Sequence, residues 1–263
     1  MKKILYTAIV LFCLSSCTIE SNKEKESSIE DGVLLRYNLN EGDEFLLEVD
    51  VDINMEKEAL EMKMGMSVTT SVNNTKSNSI NVNSIYNKLT MEIDMEGESE
   101  KYDSENPEAS DFSTAMHDMI GSMIGIKLNH EFTSNGEMIS TPDYESLFTN
   151  PQMKMQMDGF NDQLDNMIIE LPEDTLFIGE YWEEEIIADG ITSNVKYTLT
   201  DITNQEYIFE LNSKITGSGM NGTQTGELIL DKNTCMINSS YSTLNMPAIG
   251  MEASYKYTGK KIR

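Results

Sequence analysis

Basic side chains are scarce in this chain of 263 residues. Lys and Arg number 19 against 45 Asp and Glu, for a formal charge of −26. Nucleic acid is thereby excluded as a partner, because phosphate contacts need Lys and Arg. Histidine is scarcer still, with His117 and His130 alone, and the three cysteines are Cys13, Cys17 and Cys235. No Cys/His spacing of a typical zinc site exists. Nucleophile motifs are missing too: there is no G-x-S-x-G, and Cys235 has no recognisable His partner. Gly217-Ser218-Gly219 lacks the rest of a phosphate loop and reads, with Met220-Asn221-Gly222, as a turn between strands. Among 45 acids any carboxylate pair is a chance event, including Asp50 and Asp52 beside Glu48 and the run Glu183-Glu184-Glu185. No loop has EF-hand spacing, so calcium is expected at most as a weak surface ion. The chain is expected to be no enzyme and to hold no cofactor. Its 39% of hydrophobic residues nevertheless argues for a folded core.

The one long apolar run, Ile4 to Leu14, follows Met1-Lys2-Lys3 and ends in Leu14-Ser15-Ser16-Cys17. It is too short to span a bilayer as a mature helix. A basic start, an apolar core and small residues before a cut describe an export signal. Cys directly after the small pair resembles the bacterial lipobox. That resemblance implies a signal peptide at 1–16 and a mature lipoprotein beginning at an acylated Cys17. The alternative is an ordinary signal peptide in which the Cys stands by chance. Several acyl chains at about 0.8 kcal/mol per buried CH₂ make attachment to a membrane stable. With Cys13 removed and Cys17 acylated, Cys235 is alone and no intramolecular disulfide can form; it reads as a buried small hydrophobe. Residues 17–32 are polar and charged and read as the lipidated Cys and a flexible tether. Lys23-Glu24-Lys25-Glu26 resembles the charged signals that send Bacteroidota lipoproteins to the cell surface, and a plain solvated linker explains it equally well. The expected location is the cell envelope at the outer membrane, with either face open.

From Val33 onward period-two alternation dominates. Phe45, Leu47, Val49, Val51, Ile53 and Met55 share one strand face; Met62, Met64, Met66 and Val68 share another, and Leu89, Met91, Ile93 and Met95 a third. Such one-sided strands suit an antiparallel sheet with one wet face. Two helices are expected to interrupt them. Asn106-Pro107 reads as N-cap and N1 of the first, with Phe112, Met116, Met119, Ile120 and Met123 at helical spacing and Gly125 closing it. Asn150-Pro151 opens the second, whose stripe runs from Met153 to Leu171 before Pro172. Between them Ser134-Asn135-Gly136 signals a hairpin. Six further strands are expected between Glu180 and Thr258, with Asp231-Lys232-Asn233 at a hairpin tip. Gly42-Asp43-Glu44-Phe45 and Gly179-Glu180-Tyr181-Trp182 open the two strand sets alike, which suggests a domain at 33–260 made of two distant repeats, 33–100 and 175–260, around a helical insert at 106–172.

Methionine is abundant, at 19 residues. Met62-Lys63-Met64-Gly65-Met66 and Met153-Lys154-Met155-Gln156-Met157 both spell M-x-M-x-M. On a strand Met62, Met64 and Met66 project from one face, where they could fill a core, line an apolar pocket, or ligate Cu(I) through soft thioethers. On a helix Met155 points away from Met153 and Met157. His117 is expected at the edge of the first helix's buried stripe, and His130 on a strand with Leu128 and Phe132, both structural. Trp182, Tyr181, Tyr197, Tyr207, Tyr255 and Tyr257 read as cross-strand packing, or as a surface for a glycan or partner.

The order of lipobox, acidic tether, strands, two helices, Leu171-Pro172, Gly179-Glu180-Tyr181-Trp182 and further strands resembles an uncharacterised family of Bacteroidota lipoproteins defined as a domain of unknown function. Here Glu180 and Tyr181 replace that family's Asp and Ser, and it brings no activity to transfer. The architecture is also similar to envelope lipid-binding half-barrel lipoproteins. The expectation is an α+β fold, mainly antiparallel β: one strongly curved, half-barrel-like sheet or two joined sheets of roughly twelve strands, with two amphipathic helices on the apolar face. The expected function is non-enzymatic holding of an apolar or amphipathic small molecule or lipid, with Met62, Met64, Met66, Met116, Met119 and Met123 lining the ligand. A filled-core interaction protein with an unknown protein partner, and Met-based Cu(I) handling, are the alternatives.

Overall fold

A computed structural model describes residues 32–76, 79–142, 168–188, 191–217 and 220–263. The strands are β1 Glu44–Met55, β2 Leu60–Lys76, β3 Ser79–Met95, β4 Glu98–Asp103, β5 Lys127–Phe132, β6 Met138–Ser140, β7 Tyr181–Ala188, β8 Ile191–Ile202, β9 Glu206–Gly217, β10 Met220–Asp231, β11 Ile237–Met246 and β12 Met251–Lys261. All lie in one antiparallel sheet of order β6-β5-β3-β2-β1-β12-β11-β10-β9-β8-β7, with β4 also on β3. The first and last strands pair in the middle, Phe45 opposite Lys261 through Met55 opposite Met251. Helix α1, Asp111–Ile120, is the one α-helix among the described residues, and no described helix is long and apolar enough to cross a membrane.

The sheet bends back on itself. Val82 on β3 and Phe132 on β5 share a core cluster with Trp182 on β7, Tyr197 on β8 and Phe209 on β9. Val51 and Met62 share a second cluster with Ile191 and Ile215 at the far ends of β8 and β9. Strands many positions apart in the sheet meet across its interior, which a flat sheet cannot do. The edges β6 and β7 are not paired with each other among the described residues, so the sheet is an open, wrapped one.

The clusters divide the interior by height. One rim carries the turns at 40–43, 133–137, 168–180, 203–205 and 232–236, and the first cluster lies beneath it. Two extended segments plug this end. Leu35, Tyr37 and Leu39 are buried, as are Ile169, Leu171 and Leu176, and a Val33–Leu176 bridge ties the segments together. The second cluster lies toward the opposite rim, and Met116 and Ile120 of α1, which packs on β4, join it with Tyr102.

The glycine turns that open β1 and β7 are built alike. Gly42 has φ +88 and Gly179 φ +89, positions where a Cβ is strained. Asp43 N–H donates to the Asn40 carbonyl at 3.0 Å, and Glu180 N–H to that of Phe177 at 2.9 Å. Each acid accepts the amide three residues back, both at 3.0 Å. Each glycine N–H donates to the neighbouring strand, Gly42 to Val72 and Gly179 to Leu199.

Several local expectations need correction. Helix α1 starts at Asp111, not at Pro107: Ser110 Oγ caps it by accepting Ser113 N–H at 3.0 Å, while Asn106 N–H is spent in a turn on the Asp103 carbonyl. Most of the second expected helix, residues 151–167, lies outside the described residues, and its last stretch, 168–171, is extended, so the described structure gives no second helix. β2 and β3 run farther than their apolar alternation, and β4 is a strand that no alternation marks.

Candidate functional site

An apolar hollow of about 310 Å³ lies under the plugged rim. Its walls are Phe45 and Leu47 on β1, Val82 on β3, Ile168 from the plug, and Met236 and Ile237 at the entry to β11. Strand parity explains this set. Phe45 and Leu47 fall on the face of β1 that turns inward, and Val82 lies between the buried Ile80 and Ser84.

The floor is polar and buried. Thr70 and Ser84 are register partners on β2 and β3, and their hydroxyls bond each other at 3.1 Å. His130 on β5 stands opposite Val82 and is 4% exposed. Burial lowers its pKa to about 4, so the imidazole is neutral at neutral pH. The floor thus offers hydroxyls and a neutral ring among apolar walls, the combination that orients an amphipathic ligand without fixing a charge.

The mouth is marked by its exposed residues, Asn233, Asn238, Lys260 and Lys261. Lys261 Nζ sits 2.6 Å from the Asp43 carboxylate and 5.9 Å from the centre of the Phe45 ring. Burial alone would raise the Asp43 pKa; the Lys261 ammonium and the Asn40 amide outweigh it and hold the carboxyl below its usual value. Gly259 is another lining residue, and a Cβ there would come within 1.9 Å of the Ile237 carbonyl oxygen. The close approach of the entry of β11 to β12 at the mouth therefore depends on a bare backbone.

Glu184 is the most unusual acid of the interior. Parity splits the Glu183-Glu184-Glu185 run: Glu183 is exposed, and Glu184 points inward with Trp182 and Ile186. It is 4% exposed, and its Oε2 has no hydrogen-bond partner. Burial raises its pKa to about 8, helped by Glu170, against the lowering effect of a hydrogen bond with Tyr197. The carboxyl is largely protonated at neutral pH. The surrounding rings are packed as core: Trp182 stacks on Tyr197 at 4.6 Å and meets Phe209 edge-on at 5.1 Å.

The methionines named from sequence lie mainly in the other half. Met62 and Met116 are buried in the second cluster; Met64 and Met66 are half-buried at its margin; Met123 is buried beyond α1. The structure brings Met62, Met64, Met66 and Met116 together but does not place them on the hollow, whose one methionine is Met236. The side chain of Met119, and Met153, Met155 and Met157, lie outside what is described. Cys17 is likewise outside the described residues, and Cys235 is a buried free thiol whose pKa burial raises. His117 is exposed, its Nδ1 at 3.4 Å from the Tyr102 hydroxyl. Sequence reasoning missed Thr70 and Ser84, and took Glu184 only as part of an acidic run. Their signal was parity: Val68, Thr70 and Val72 alternate inward, as do Trp182, Glu184 and Ile186.

The outer face carries two adjoining hollows, of about 460 and 730 Å³, that share Asp52, Lys63, Tyr241 and Ser254. Tyr241 is 55% exposed there. Among the described residues no group of three or more His, Cys, Asp or Glu could hold a metal ion.

Residues 152–237 match a family of unknown function, DUF6263. No curated protein sequence matches the chain. Among solved structures, one of lipovitellin, described for its lipid–protein interactions, aligns at 6% identity and a TM-score of 0.50 over 85% of this chain and 25% of its own. This chain thus spans about a quarter of that structure's length. A protein assigned as AttH from Nitrosomonas europaea aligns at 6% identity over 81% of this chain and 68% of its own, with a TM-score of 0.19. The chain thus shares a mainly antiparallel β fold with that lipovitellin structure, and its residues 152–237 resemble a family of unknown function.

Proposed function

We propose that this chain is an envelope lipoprotein, held at the outer membrane by acyl groups on Cys17, that carries an apolar or amphipathic ligand and does no chemistry on it. The observation that carries the reading is the hollow beneath the plugged rim: apolar walls, a floor of mutually bonded hydroxyls and a neutral imidazole, and an exposed mouth. Its volume stands at the lower end of small-molecule sites, enough for part of an acyl chain. The likeness in fold to a lipovitellin structure described for its lipid–protein interactions supports the ligand class. In this reading the methionine-rich cluster is the packed half that holds the sheet's curvature, and the aromatic-lined half is the one that receives ligand.

The test is titration of a fluorescent fatty acid into the protein and into Leu47→Trp. Leu47 is half-buried on the wall, so a larger ring fills the hollow without uncovering the core. Binding is expected to fall by tenfold or more, roughly the 1.4 kcal/mol that a few lost apolar contacts represent. Equal binding by both proteins would remove the hollow as the ligand site. A second reading, an interaction protein, is favoured by the outer hollows and the exposed Tyr241; it predicts that Tyr241→Ala abolishes crosslinking to an envelope partner.

A further inference from the structure

Among the described residues six large hydrophobic side chains are exposed: Leu34, Met95, Ile139, Phe177, Tyr241 and Ile262. Four of them, Leu34, Ile139, Phe177 and Ile262, lie on or next to the rim that holds the mouth of the hollow; Met95 is on the opposite rim and Tyr241 on the outer face. Exposed apolar residues that stand singly are ordinary on a protein surface; two of these four, Leu34 and Phe177, do not stand singly.

Leu34 and Phe177 belong together by geometry. Val33 and Leu176 form an antiparallel bridge with 2.7 and 2.8 Å hydrogen bonds. Their neighbours Gly32, Leu34, Thr175 and Phe177 therefore share the outer side of a two-stranded ribbon. A Cβ on Gly32 would lie 2.8 Å from the Phe177 ring, so that ring closes over the backbone where the described chain begins. The inner side of the same ribbon packs into the first cluster through Leu35 and Leu176.

We infer that this rim is the face the protein lays against a lipid bilayer, with Leu34 and Phe177 entering the interface; the inference rests on the anchored-carrier reading. The path from Cys17 to Gly32 is 15 residues. Fifteen residues reach at most about 50 Å, so an anchor at Cys17 keeps the rim within that distance of the membrane. Ligand then passes between bilayer and hollow past the 168–178 plug without crossing water. Exposed Glu41, Glu173 and Asp174 stand on the same rim as exposed Lys260, Lys261 and Arg263, and this mixture of signs suits a zwitterionic bilayer.

The experiment uses the full, Cys17-acylated chain on phosphatidylcholine vesicles, with an environment-sensitive thiol dye placed by Leu34→Cys, Phe177→Cys or Met95→Cys. Cys235 is buried and stays unlabelled in the folded protein. Dyes at 34 and 177 are expected to shift to the blue and to be quenched by nitroxide-bearing lipids, and the dye at 95 to do neither. In parallel, the Leu34→Ser/Phe177→Ser double variant is expected to slow fatty-acid transfer from vesicles about tenfold while binding fatty acid in solution unchanged. Dyes at 34 and 177 that report water, or a dye at 95 that shifts as much, overturn the inference. If solution binding persists in that case, the carrier reading stands without it; if solution binding is absent in the parent protein, both are overturned.

Discussion

Two buried ionisable side chains give the molecule a pH dependence that can be signed. The pKa of Glu184 is raised by burial to about 8. Between its unfolded value and pH 8 the native state binds more protons than the unfolded one, so stability falls as pH rises through that window. The pKa of His130 is lowered by burial to about 4. Between there and its unfolded value the unfolded state binds more protons, so stability rises with pH. Where the windows overlap, at pH 4.5–6.5, the two slopes oppose each other. Above 6.5 Glu184 acts alone, at up to about 1.4 kcal/mol per pH unit. Chemical denaturation at a series of pH values is therefore expected to show a decline from pH 6.5 to 8 that Glu184→Gln abolishes. A decline of equal slope in that variant would show that another group causes it. At Gly259 the expectation is steric: Gly259→Ala pushes a methyl into the Ile237 carbonyl and costs about 1–3 kcal/mol in the same assay.

At the scale of elements, alternation in the sequence is enough to place β1, the start of β2, the end of β3 and all six strands after Pro172, because each has one wet and one dry face. The first half of β3 was not legible in this way. Its outer face carries Asn81 and Asn83, poor strand formers alone. They are held by amide bonds across strands, Asn73 to Asn81 at 2.7 Å, Asn81 to Asn129 at 3.0 Å, and Asn83 to Asn73. These bonds exist only once β2, β3 and β5 are side by side. The hollow was illegible for the same reason: its walls come from β1, β3, the plug and the turn into β11, and no window of sequence contains them. The methionine stripes, conspicuous in sequence, sit mainly in the packed half. The cap of α1 is a local matter that was misplaced by four residues, since Asn106 and Ser110 are both good caps and the tertiary turn uses the first. Ser110→Ala is expected to cost about 1 kcal/mol. If thermal unfolding shows no loss, the Ser113 bond to Ser110 does not hold the helix end.

For the whole molecule the central claim is that a wrapped, open twelve-stranded sheet keeps one half filled and one half able to receive an acyl chain. The pairing of β1 with β12 places the wall residues Phe45 and Leu47 and the mouth residues Lys260 and Lys261 in the centre of the sheet. In the proposed reading the net acidic charge disfavours adsorption to anionic headgroups and leaves approach to the membrane to the proposed anchor. The measurement that tests this most directly is native mass spectrometry of the protein recovered from a bacterial envelope, beside Leu47→Trp prepared in the same way. The account predicts a lipid-sized mass on the parent protein, removed by solvent extraction, and none on the variant. An empty, folded parent protein, or the same lipid on both, would contradict it.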